Sequence, residues 1–209
     1  MTAGLLPSAP PHHKAVASTR KAPLFDGDAE MQLKDFAEQF FKEFGVRLYR
    51  ALDGLTFEEL NWRPRPEANS IAFIVWHVAR VEDGWFQHFV RDTTAIWIEQ
   101  GWYERLGLPE KSSGFGYSVE QLAAFPALRE EDLRGYFDAV RKSTLTCLRD
   151  MTEADLDRVP GRSPFPGSAS SSRFAEFSVA RMFRQLIGEE YQHLGHVSYI
   201  RGLQRGLDG

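Results

Sequence analysis

Glu189 and His193 stand four residues apart in the stretch 178–206, SVARMFRQLIGEEYQHLGHVSYIRGLQRG. On a helix they lie one turn above one another and can reach a single point. A carboxylate and an imidazole so placed, on an inward face, resemble half of a metal site. A second stretch, SIAFIVWHVARVEDGWFQHFV at 70–90, carries His77 on the shoulder of an apolar stripe and Glu82 inside it. Glu190 occupies the same kind of position in the first stretch. Each helix thus holds one histidine and one carboxylate where a plain core helix would have aliphatics. Unpaired buried charge is costly, so these groups must be paired, bound to metal or reached by water. Glu82 and Glu190 have two candidate roles. They can accept hydrogen bonds from the imidazole N–H groups, or pair with an arginine such as Arg47, Arg50 or Arg201. A lone inward histidine is more often a hydrogen-bonded core residue than a ligand, and that reading stands beside the metal one.

Both stretches have helical periodicity. Val179, Met182, Phe183, Leu186, Leu194, Val197 and Ile200 share one side of a 100° wheel, and Gly202 and Gly206 mark the end. Ile71, Ile74, Val75, Val78, Val81, Trp85 and Phe89 form the stripe of the other helix, with Ser70 as its cap. A further helix is expected over 28–52, with Met31, Phe36, Phe40, Phe41, Phe44, Leu48, Tyr49 and Leu52 inward and Gly45 allowing close approach. Another is expected over 130–149, with Leu133, Phe137, Val140, Thr144 and Leu148 inward. Thr56 and Glu59 make a capping box, and residues 152–155 read as another short turn. The crossover from Asp92 to about Arg129 is too long to be structureless. Short helical pieces are expected there, one over 118–124. Its length lets the second and third helices run parallel. Its aromatics read as packing over one end of the helices, ahead of a substrate lid. Residues 160–173, turn-rich and of low complexity, read as a mobile loop.

With both stretches in view, NWRPRPEANSIAFIVWHVARVEDGWF and GEEYQHLGHVSYIRGLQRG resemble the DinB/YfiT-like superfamily over about residues 33–206. The resemblance implies an all-α fold, a four-helix bundle with a long crossover between helices 2 and 3. It also implies a divalent metal, which many members hold through three histidines, one from the second helix and two, four apart, from the last. By position the metal ligands are His77, Glu189 and His193. Glu189 stands where the family pattern has histidine, and a carboxylate is a competent ligand for zinc, nickel, manganese or iron. His196, one turn beyond His193, is the alternative ligand. His88 is about 16 Å along the axis from His77, too far for the same site.

A two-histidine, one-carboxylate site leaves positions open for water or a thiolate, whose pKa the metal would lower. The activity implied is that of a thiol-dependent transferase or isomerase, with a low-molecular-weight thiol as co-substrate, or a hydrolase, on a small molecule. A rival reading is a non-catalytic stress-response or binding protein with a vestigial metal site. Bundle relatives suggest a homodimer.

The remaining features narrow the setting. The 209 residues, 43% apolar, suffice for one domain. A net charge of −4 gives no case for nucleic-acid or membrane binding, and no apolar run reaches a membrane span. The single cysteine, Cys147, reads as a buried thiol and suits a reducing cytoplasm. Residues 1–23, proline-rich and including His12 and His13, read as a flexible tail ahead of a single domain at 24–209. Gly188 is expected to serve close packing beside the site. No nucleotide loop, HExxH or GxSxG motif is present.

Overall fold

The computed structural model describes residues 32–166 and 171–206. The expected tail at 1–23, residues 28–31 of the first helix, and 167–170 of the Ser-rich loop lie outside them. Four long helices dominate. α1 is Leu33–Leu52. After the short α2, Phe57–Asn61, α3 spans Ile71–Asp83 and continues as a π-helix, Gly84–Arg91. Three short helices occupy the crossover: α4 (Ile96–Glu99), α5 (Trp102–Arg105) and α6 (Val119–Ala123). α7 is Glu130–Asp150, α8 is Glu153–Leu156, and α9 is Val179–Arg205. No strand occurs among the described residues.

The helix starts follow local chemistry. Ser70 Oγ accepts from Phe73 N–H at 3.1 Å and Ser178 Oγ from Arg181 N–H at 3.2 Å, each satisfying an orphan donor of the first turn. The Thr56–Glu59 capping box forms as expected, and Ser118 with Gln121 and Thr152 with Asp155 form two more.

α1 packs on α9, α9 on α3, α3 on α7 and α7 on α1, which closes a ring around the core. Paired contacts give the directions. Asp83 meets Tyr136 and Gln87 meets Ser143, so α3 and α7 run parallel, as the long crossover permits. His77 meets His193 and Phe86 meets Phe183, so α3 and α9 are antiparallel.

α3 is buried at every position except Arg80. A helix apolar all round must be covered on both sides, and the crossover supplies the second cover. Trp97 and Trp102 are buried against Tyr136, with ring centroids 5.3 and 5.6 Å away. Packing is thus what these crossover aromatics do. Phe36, expected inward, is 42% exposed and packs against Phe40 instead, with the ring planes tilted by 48°. Gly45 and Gly188 do not serve close approach. A Cβ at Gly45 would meet only Phe137, at an ordinary 3.8 Å, and one at Gly188 would meet nothing within 4 Å.

The apolar core has two parts. One is built around Phe44, Trp76, Trp97, Phe137 and Val197. The other is built around Phe41, Trp85, Phe89, Leu148 and Phe183. Between them, where α3 passes into the π-helix and at the middle of α7 and α9, lie the buried polar residues Glu82, Arg141 and Glu190.

Candidate metal centre

α3 and α9 run antiparallel and bring His77 opposite Glu189 and His193. Glu189 Oε1 lies 3.2 Å from His193 Nε2 and 3.9 Å from His77 Nε2. The two imidazoles meet edge to face, with centroids 5.1 Å apart. The donor atoms of all three residues lie within 4.8 Å of one another, and they are the one such group of three among the described residues. Ligands bonded at about 2.0–2.1 Å around a tetrahedral ion sit about 3.4 Å apart. The separations of 3.2 and 3.9 Å bracket that value. Glu189 Oε1 thus stands near ligand-to-ligand distance from each histidine nitrogen, and two imidazoles with a carboxylate are a donor set whose chemistry suits a small divalent cation.

Electrostatics favour the same occupant. Glu189 is held down to about 2, by the hydrogen bond from His193 first and by His77 next, against a partial burial that opposes ionisation. It is an anion at neutral pH. His77 is buried and His193 half-buried, so the group is largely shielded from water.

The two histidines are held differently. His77 Nδ1 is 2.6 Å from the carbonyl of Ser113, in the crossover. A carbonyl only accepts, so Nδ1 carries a proton, and Nε2 is the ring nitrogen turned toward Glu189. His193 Nδ1 is buried with no partner among the described residues. His196, the alternative ligand, is exposed at the rim, its ring 5.4 Å from that of His193, and is not in the convergent group.

Glu82 and Glu190 do not contact the imidazoles. Both pair with Arg141, whose Nη2 lies 2.8 Å from Glu82 Oε2 and 3.0 Å from Glu190 Oε1. Arg141 also donates to the Phe41 carbonyl. The arginines singled out in the sequence are elsewhere: Arg47 pairs with Glu43, and Arg201 donates to the carbonyls of Ala51 and Asp53. Arg141 was legible in principle, since it stands four residues after Phe137 and three before Thr144 on the inward face of α7. Burial pushes the Glu190 carboxyl well up, Arg141 pulls it back, and Glu82 pushes it further. The Glu190 carboxyl therefore holds its proton more tightly than an exposed carboxyl does.

Asp83 carries no mark of its role in the sequence. It is fully buried and accepts from Ile96 N–H and Trp97 N–H, both at 2.9 Å, and from Tyr136 O–H at 2.8 Å. It anchors the start of α4, and with it the crossover, to α3. Burial raises its carboxyl, opposed by Arg80 and these donors. The Cys147 thiol is pushed up by burial, which leaves it a poor nucleophile.

The chain belongs to the DinB superfamily, whose pattern it matches over residues 41–197. A similar fold occurs in a conserved protein of Enterococcus faecalis, with a TM-score of 0.68 at 20% identity. The likeness covers 83% of this chain and 98% of that one. At that identity it speaks for the fold alone. No curated protein matches the chain. No described helix is long and apolar enough to cross a membrane.

Proposed function

We propose that this chain is a metal-dependent enzyme acting on a small molecule, with His77, Glu189 and His193 holding one divalent first-row ion such as zinc, nickel, manganese or iron. The observation that carries this reading is the convergence of two imidazole nitrogens on one carboxylate oxygen, at 3.2 and 3.9 Å, in a largely shielded site. When bound, such an ion supplies Lewis acidity and lowers the pKa of a coordinated water or thiol. The residues supply the rest. Ser113 keeps His77 Nε2 directed into the site. Glu189 brings one negative charge, which leaves the loaded centre about one unit less positive than a three-histidine site would be. A carboxylate oxygen also makes manganese and iron relatively more acceptable beside zinc and nickel. The reaction is thiol-dependent transfer or isomerisation, with a low-molecular-weight thiol as co-substrate, or hydrolysis.

Metal analysis of protein purified without a histidine tag or added metal tests the reading. A stoichiometric first-row metal in the parent, lost in His193→Ala and strongly reduced in Glu189→Ala, is expected. Glu189→His should keep it. Metal-free parent protein, together with unchanged stability in His77→Ala, would instead indicate a non-catalytic stress-response or binding protein.

A further inference from the structure

We propose that the crossover is a working part of the metal centre. On this view Ser113 is a positioning residue for His77, and Gly114 and Arg80 hold its carbonyl in place. The proposal rests on the reading of His77, Glu189 and His193 as metal ligands. Three observations carry it.

First, the contact between His77 Nδ1 and the Ser113 carbonyl, at 2.6 Å, fixes which ring nitrogen is free for the ion. Phe73 stacks on the same ring, with planes 13° apart, so the imidazole is restrained at its edge and on its face. Second, Gly114 has φ +79°, and a Cβ there would stand 2.8 Å from His77 Nδ1, 2.9 Å from Trp76 and 3.0 Å from Phe73. Any side chain would lift the crossover off the imidazole. Third, the preceding carbonyl, of Ser112, accepts from Arg80 Nε at 2.9 Å. Arg80 is itself held by Asp83 at 3.3 Å, and its guanidinium lies over Trp97 at 4.8 Å. Adjacent carbonyls of one loop are thus clasped by two residues three apart on α3.

An ion on Nε2 makes Nδ1–H a stronger donor, so loading and crossover docking reinforce one another. By linkage, the factor by which a docked crossover strengthens metal binding equals the factor by which the metal strengthens docking.

The experiment has two readouts on the full chain. Imidazole nitrogen NMR of the metal-free parent, at mildly alkaline pH, is expected to show His77 as the Nδ1–H tautomer. Zinc affinity is then measured by chelator competition. Gly114→Ala is expected to lose the tautomer preference and to bind zinc about 10–100-fold more weakly. Gly116→Ala is the control. Gly116 also has a positive φ, +66°, but a Cβ there meets nothing within 4 Å. This variant should lose stability while keeping the parent tautomer and zinc affinity. Should Gly114→Ala fail to fold, Arg80→Lys decides, since it removes the Nε contact with Ser112 and keeps a charge beside Asp83. It is expected to show a smaller loss in the same direction. The proposal is overturned by an Nε2–H tautomer in the parent, by Gly114→Ala or its substitute behaving as the parent, or by Gly116→Ala losing zinc equally. A parent that binds no zinc yet shows the Nδ1–H tautomer overturns the metal reading alone, and the tautomer arm then still supports the clasp.

Discussion

Glu190 holds a proton in the folded protein that an ordinary carboxyl would release. Burial raises it well above the usual 4.5, and Glu82 adds to the shift against Arg141. The unfolded chain gives this proton up at the ordinary value. Between that value and the raised one, the folded state binds more protons, so stability falls as pH rises. The melting temperature of the parent is therefore expected to decline from mildly acidic towards neutral pH. Glu190→Gln, which stays neutral throughout, should flatten that decline, and an unchanged slope in thermal melts would count against a raised Glu190 carboxyl. The charged residues divide in how far they could be read from the sequence. Helical spacing brings His77, Glu189 and His193 to notice, and the family resemblance, rather than the spacing, marks their positions as ligands. The pairing of Glu82 and Glu190 is not legible, because it depends on a residue of a third helix, 59 and 49 positions away. Chain separations of that size leave no local trace.

The π-helix at Gly84–Arg91 is where α3 changes character, and Gly84 begins it. A Cβ on Gly84 would lie 2.6 Å from the Pro164 carbonyl and 3.2 Å from Phe165, so the loop before the last helix rests directly on this backbone. Phe165 in turn stacks on Phe115, with planes 13° apart. Gly84→Ala must push that loop away and is expected to cost about 1–3 kcal/mol, as overpacking does. Denaturant titration checks this, and a loss below about half a kcal/mol would mean the loop yields freely. Most elements could be read from periodicity and caps. Helices α1, α3, α7 and α9 each repeat apolar residues at three and four, and Ser70 and Ser178 mark the starts of α3 and α9, as Thr56 does that of α2. The π-helix could not. A continuous apolar pattern through Trp85 and Phe89 looks the same whether the backbone closes four- or five-residue turns. Nor could Gly114 be told from Gly101, Gly107 and Gly116, which share its positive φ but not its contact with His77.

At the scale of the molecule, two expectations concern what lies beyond the helices. Deleting residues 1–23, which lack a periodic apolar face, is expected to leave the melting temperature unchanged; a large fall would show that the segment is docked. Self-association is expected through exposed apolar side chains, among them Phe36 at 42%, Leu203 at 50% and Tyr199 at 67% exposed. Light scattering that shows only a 23.8 kDa species at micromolar concentration would contradict it. A different consequence follows from the layer of Glu82, Arg141 and Glu190 that divides the core. It acts as a register pin. Sliding α9 by one turn, about 5.4 Å, would carry Glu190 away from Arg141 and leave buried polar atoms without hydrogen-bond partners, whereas the aliphatic stripes above and below would tolerate the shift. A buried ionic group of this kind lends uniqueness rather than strength. Replacing all three together, by Glu82→Leu, Arg141→Met and Glu190→Leu, is therefore expected to raise the melting temperature. It should also split the amide NMR spectrum into more than one set of signals, as helices settle in alternative alignments. A single set in the triple variant would show that the apolar stripes align the helices unaided.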